Sequence, residues 1–136
     1  MGENFTIGDF KADDFALYEE GFNRIGNLYI SNKSYEKFEN SIKPMLNKLY
    51  EKKTNWPVSE MLKEFGLMID DKTSILYQAA KNNIPIFCPA VTDGALGFHL
   101  YMFQQDHPDF MVDIVKDFSN ILFASSQDEK KGAICL

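Results

Sequence analysis

Basic charge is scarce in this sequence. Fourteen Lys and Arg residues face twenty Asp and Glu, which leaves a net charge of −6. A nucleic-acid interface needs a basic patch, so this balance argues against a nucleic-acid partner. It suits a soluble protein and leaves room for a cationic substrate or partner. Cysteine is scarce too. Cys88 and Cys135 each sit inside an apolar run, Ile84-Pro85-Ile86-Phe87-Cys88 and Gly132-Ala133-Ile134-Cys135-Leu136. Their spacing offers neither a metal site nor a disulfide framework, and they read as buried free thiols in a reducing compartment. No apolar run approaches the length of a membrane helix. The opening residues lack the basic-then-apolar layout of a signal peptide. These absences point to the cytoplasm and to no membrane partner. Internal repeats and low-complexity stretches are also missing.

What is present is enough for a packed domain. The 136 residues are 45% hydrophobic and 14% aromatic, and Phe supplies most of the aromatic share. Such a composition favours a core or an interface over a disordered tail.

Hydrophobic spacing then lays out the elements. Leu28-Tyr29-Ile30 reads as a short strand. Asn32 or Ser34 is placed to cap a helix whose apolar face runs Tyr35, Phe38, Ile42, Met45, Leu46 and Leu49, with Pro44 as a kink. Thr54-Asn55-Trp56-Pro57 interrupts the pattern. Pro57 suits the first position of a second helix with Val58, Met61, Leu62, Phe65, Met68 and Ile69 on one face. Asp71 or Thr73 is placed to cap a third helix through Ile75, Leu76, Tyr77 and Ala80, and Asn82-Asn83 stops it.

Residues 84–88 follow as a buried strand, with Pro85 at its start. A loop, Pro89-Ala90-Val91-Thr92-Asp93-Gly94, leads to a helix starting near Gly94. An amphipathic stretch from Pro108 to Ala124 carries Phe110, Met111, Ile114, Val115, Phe118, Ile121 and Leu122. The sequence closes on a second apolar strand at residues 132–136, after a solvated charged turn at Asp128-Glu129-Lys130-Lys131. Two apolar strands joined by helices predict an α/β fold of Rossmann type, a mostly parallel sheet flanked by helices and incomplete in this chain.

The segment I-P-I-F-C-P-A-V-T-D-G-A-L-G-F, residues 84–98, carries the chemistry. A parallel sheet binds ligands beyond the carboxyl ends of its strands. Asp93 is therefore placed to take a ribose hydroxyl or a cationic group, and it is equally an N-cap for the helix that follows. Gly94 and Gly97 permit close approach to the backbone.

Longer motifs carry a resemblance. S-I-L-Y-Q-A-A-K-N-N-I-P-I-F-C-P-A-V-T-D-G-A-L-G at residues 74–97 resembles the deoxyhypusine synthase family. So does N-R-I-G-N-L-Y-I-S-N-K-S-Y-E-K-F-E at residues 23–39, with D-I-V-K-D-F at 113–118 and G-A-I-C-L at 132–136 in the same order. The resemblance implies a single NAD-binding domain of which residues 1–136 are part, in a homotetramer. It implies hydride abstraction from spermidine by NAD to give an imine. An enzyme lysine then receives the aminobutyl group and passes it to a lysine of the translation initiation factor 5A precursor. The amine must be neutral to react, so such a site has to tune its protonation.

Residue by residue, the resemblance places Asp93, Gly94 and Thr92 at the cofactor. It places Tyr35, Ile25, Arg24 and Phe98 at the substrate, with Asn27 in the surrounding motif. Tyr35 also reads as a core residue of its helix. One position departs from the family. The family pattern D-G-S-L-G-D becomes D-G-A-L-G-F here, so Phe98 replaces a carboxylate that would face a cationic amine. His99 reads as a packed or surface residue, and His107 as a loop residue with no role.

The resemblance further implies that the catalytic lysine and the family's glycine-rich, histidine and tryptophan motifs follow Leu136. Its early NAD-binding segments would precede Met1. This chain is expected to be a portion that is inactive alone, with no catalytic residue of its own. Phe98 keeps two alternatives open: a homospermidine synthase-like enzyme using putrescine, and a non-catalytic regulatory paralogue.

Overall fold

The computed structural model describes residues 5–126; of Phe5 only the backbone is described. The expected strand at residues 132–136, Cys135 and the charged turn before them lie outside the described residues. The fold is mixed α/β, with small sheets flanked by helices, in keeping with the sequence pattern. It divides into two compact units, Met1–Pro44 and Met45–Leu136.

The first unit is built on an antiparallel sheet in the order β1-β3-β2, from β1 (Phe5–Ile7), β2 (Phe22–Ile25) and β3 (Leu28–Ser31). The β2–β3 hairpin pairs Ile25 with Leu28, so its loop is Gly26-Asn27. Gly26 has a φ of 63°. Glycine at the first central position of a two-residue loop is the type II′ arrangement, whose twist matches paired strands. A short helix, α1 (Asp14–Glu19), lies between β1 and β2. The Asp13 side chain caps it by accepting from the Phe15 N–H at 3.0 Å.

Helix α2 (Asn32–Lys52) runs unbroken through Pro44, and the boundary between units falls just after that proline. Its buried face is Ile42, Leu46 and Leu49, at the spacing the sequence predicts, whereas Tyr35 is exposed. The capping expectation is corrected. Asn32 is already helical, and its side-chain oxygen accepts from Asn23 Nδ2 at 2.6 Å. Ser34 lies inside the first turn and shares a hydrogen bond with Ser31.

In the second unit, α3 (Val58–Met68) buries Val58, Met61, Leu62 and Phe65. Pro57 is its N-cap residue, one position earlier than expected. Asp71 and Thr73 do not cap α4 (Ile75–Lys81); Ser74 holds the cap position, with no side-chain bond. Asp71 instead closes the preceding turn onto Thr73.

The Asn82-Asn83 stop is realised as a left-handed cap. Asn83 has a φ of 55°, its N–H donates to Ala80 O, and the Ile84 N–H reaches back to Ala79 O at 2.8 Å. That 6→1 and 5→2 pair is the Schellman arrangement. Helices α3 and α4 meet at Gly66, where a β-carbon would lie 2.4 Å from Leu76 O and 2.7 Å from Ala80 Cβ.

Two expectations about strands and helices are overturned. Residues 84–88 carry no ladder and run as irregular chain. A strand exists only where a neighbour accepts its backbone groups, and none of the described strands pairs with this run. The parallel pairing among the described residues is elsewhere, in two short strands: β4 (Asn55–Trp56) pairs with β5 (Met111–Val112).

The stretch from Pro108 is not one helix either. Helix α5 (Ala95–Asp106) ends at His107, β5 follows, and α6 (Ile114–Ser125) begins only after Asp113. Asp113 caps α6 by accepting from the Lys116 N–H at 2.7 Å. The α6 apolar stripe is exposed at Ile114, Val115, Phe118 and Leu122. The inward residue is Asp117, whose carboxylate accepts the Ser59 N–H at 2.8 Å in the first turn of α3. The unpaired N–H groups and positive end of that helix make it a better partner for a carboxylate than for an apolar side chain.

Asp117→Ala should destabilise the fold by about 1–3 kcal/mol, because it leaves the part-buried Ser59 N–H unsatisfied. Gly66→Ala sets two effects against each other. Alanine improves helix propensity by about 1 kcal/mol, but the clash with Leu76 O and Ala80 should cost about 1–3 kcal/mol. Urea unfolding should show net destabilisation; a more stable Gly66→Ala variant would mean the two helices can part at no cost.

Candidate functional site

In the first unit, Tyr35 does reach a cavity. With Asn23, Asn32 and Glu36 it lines an open depression of about 460 Å³. Asn32, Tyr35 and Glu36 are spaced i, i+3 and i+4 on the first turns of α2, which puts them on one face. Asn23 joins them from β2, held by its bond to Asn32. A carboxylate, a phenol ring and two amides around one hollow suit a cationic amine through Coulomb attraction, cation–π contact and hydrogen bonds. Sequence reading singled out Tyr35 and missed Asn23, Asn32 and Glu36. The helical spacing around Tyr35 was the available signal.

Ile25 is exposed at the end of β2 and is not part of this lining. Arg24 is placed differently from a free substrate contact. Its Nε and Nη2 grip the Asp14 carboxylate, the latter at 3.0 Å, and Nη1 donates to Phe10 O and Gly26 O, each at 3.0 Å. The guanidinium is thus engaged by its own chain. That grip lowers the Asp14 pKa, first through the Arg24 hydrogen bond and then through its charge, against an opposing effect of desolvation.

In the second unit, Thr92, Asp93 and Gly94 form an exposed loop before α5. The loop is shaped from within: the Asp93 N–H donates to Ala90 O at 2.9 Å. A β-carbon on Gly97 would lie 2.5 Å from Thr92 Cα, so this glycine lets the loop pack on the helix. The expected cap role of Asp93 is not realised. Gly94 holds the cap position with no side-chain bond, and nothing lies within 4 Å of where its β-carbon would be. The start of α5 therefore carries no side-chain cap, and Asp93 precedes its cap residue in an exposed loop. Since residues 84–88 form no strand, the placement of Asp93 at a strand's carboxyl end is lost, and its assignment rests on the loop and on the family motif.

Phe98 is 60% exposed on the first turns of α5, in edge contact with His99. His107, assigned nothing from sequence, stacks on Phe103 at 4.1 Å and meets Tyr50 at 4.5 Å. Tyr50 donates to Asp109 at 2.8 Å, which raises its pKa. These contacts surround the buried Phe110 and are structural. Cys88 is a half-buried free thiol.

The deoxyhypusine synthase family model matches residues 1–136. The chain belongs to the deoxyhypusine synthase family. It is 39% identical over 137 residues to a Thermoplasma acidophilum protein named as a probable deoxyhypusine synthase, covering 98% of this chain and 43% of that protein. It is 41% identical over 135 residues to the Caenorhabditis elegans deoxyhypusine synthase, covering 96% of this chain and 36% of the relative. A crystal structure from Entamoeba histolytica, provisionally assigned to deoxyhypusine synthases, superposes with a TM-score of 0.63 at 33% identity. It covers 70% of this chain and 35% of that one. The chain therefore spans about two fifths of the length of the curated relatives it matches. Among the described residues, no helix is long and apolar enough to cross a membrane.

The Asp14 shift has a definite sign. A carboxyl held below its unfolded value stabilises the fold above the ordinary carboxylate range and loses that contribution as pH falls through the folded value. An NMR titration should find the Asp14 midpoint below that of an unpaired aspartate. Arg24→Ala should return it upward; an unchanged midpoint would show that the pair does not form in solution.

Proposed function

We propose that the protein to which this chain belongs transfers the aminobutyl group of spermidine to a lysine of the translation initiation factor 5A precursor, with NAD as cofactor. The observation that carries this reading is the family match along the whole of residues 1–136. The same reading makes it a cytoplasmic homotetramer and places the catalytic lysine outside this chain.

The cofactor-binding part is assigned to Thr92, Asp93 and Gly94. The exposed loop, the open space at Gly94 and the uncapped start of α5 suit a polar ligand approaching the backbone. NAD would supply a hydride acceptor there. The chain's own contribution is to bind and orient: Asp93 offers a carboxylate to a hydroxyl or cationic group.

In the first unit the substrate contacts are assigned to Tyr35 and Ile25, and the depression adds Asn23, Asn32 and Glu36; in the second unit the family motif assigns Phe98 to the substrate on its own account. Glu36 and the Tyr35 ring attract the charged amine, and the amides orient it. Arg24 belongs to this part as a support rather than a contact, because four of its five N–H donors are already engaged by its own chain.

Phe98 favours a second reading. An exposed phenylalanine at a position the family fills with a carboxylate weakens the hold on one amine of a polyamine. That departure keeps open a different acceptor, the diamine putrescine, as in a homospermidine synthase-like enzyme.

The test is an assay of the intact protein with NAD and spermidine, with and without the factor precursor or putrescine. Release of 1,3-diaminopropane from spermidine with aminobutyl transfer to the precursor and no net accumulation of NADH supports the first reading; homospermidine as the product supports the second. No NAD-dependent cleavage of spermidine removes both and leaves a non-catalytic paralogue. Phe98→Asp should tighten spermidine binding about tenfold by restoring a charge opposite the amine. Asp93→Ala should weaken NAD binding by about the same factor.

A further inference from the structure

Residues 8–14 cross the end of the β2–β3 hairpin as a strap with anchors along its length. The Gly8 N–H donates to Asn27 O at 2.7 Å. Gly8 lies so close over the Tyr29 ring that a β-carbon would sit 2.0 Å from its Cζ. The Tyr29 hydroxyl accepts from the Asp9 N–H at 2.8 Å and donates to Asp9 O at 3.0 Å. At the far end, Arg24 holds both Phe10 O and the Asp14 carboxylate.

The same guanidinium donates to Gly26 O, inside the tight turn. One side chain therefore joins the strap to the turn that ends β2. Its planar fork makes several directed bonds at once, which a lysine ammonium cannot reproduce. Asp14 itself is largely exposed, and the Arg24 side chain is only 24% exposed.

We infer that Asp14 and Arg24 form a positioning pair, a latch that holds the strap closed and sets the Ile25-Gly26-Asn27 turn for amine binding. The binding consequence rests on the proposed reading of Ile25 and the neighbouring depression as amine contacts; the latch itself does not. Asp14 pins the guanidinium plane, and the plane places Gly26 O. Releasing Asp14 frees the strap and lets the turn reorient while β2 and β3 stay paired.

The test uses the intact protein and four variants: Asp14→Ala, Asp14→Glu, Arg24→Lys and Arg24→Ala. Lys11 is exposed within the strap, so brief trypsin treatment reads how often the strap opens. Asp14→Ala should speed cleavage after Lys11 by about three- to tenfold, the range open to a well-formed exposed pair. Asp14→Glu should restore the slow rate, and Arg24→Lys should fail to. With spermidine, Asp14→Ala should raise KM by about the same factor and leave kcat within about twofold.

Cleavage after Lys11 no faster in Asp14→Ala than in the wild type overturns the latch. Faster cleavage with an unchanged KM overturns the positioning role. A wild type that ignores spermidine sinks the amine reading instead, and the cleavage rates still decide the latch. A fall in kcat and melting temperature across all four variants would mean a general loss of fold, which also overturns the proposal.

Discussion

A hairpin with almost no buried core depends on directed polar contacts. Among the described residues of the first unit, only Ile42 is a buried hydrophobic. Area burial therefore contributes little there, and three strands joined only by their ladders would be marginal. The Arg24 guanidinium supplies the constraint. It ties Phe10, Asp14 and Gly26 to one plane, while Tyr29 fixes Asp9. The depression beside it inherits its shape from β2, because Asn23 reaches Asn32 from that strand. The depression's geometry is thus set where β2 meets the start of α2, through the Asn23–Asn32 bond.

The second unit is held differently. Leu46, Leu49, Val58, Met61 and Phe110 are fully buried, so packing dominates. Gly66 lets α3 and α4 approach closely, and Asp117 ties α6 to the start of α3. The Thr92–Gly94 loop rests on this rigid body through Gly97. An exposed loop on a packed helix is a suitable platform for ligand binding, since the backbone can be approached without disturbing the core.

Much of the site was legible in order of residues but not in partnership. The motifs around residues 23–39 and 74–97 named the family, and helical spacing located Tyr35 on α2. That spacing could not say whether Tyr35 faces the core or a hollow, because both roles use the same helical face. Arg24 read as a substrate contact because its motif belongs to the family. Its real partners, Phe10 and Asp14, lie ten or more residues earlier, and nothing in local sequence pairs an arginine with them. Residues 84–88 read as a strand because they are apolar and bounded by turn formers, yet an apolar run becomes a strand only when a neighbour pairs with it.

The sequence by itself determined the helical faces of α2 and α3, the Leu28–Ile30 strand, the Asn82-Asn83 stop and the family. Each depends on local sterics, on periodicity, or on motifs read in line. Tertiary structure alone decided that Asp117 faces inward, that Met111–Val112 is a strand rather than the start of a helix, and that Arg24 serves its own chain. Those outcomes are set by which donors and acceptors meet across long separations. A linear pattern carries the chemistry of each group but not the identity of the group that will satisfy it.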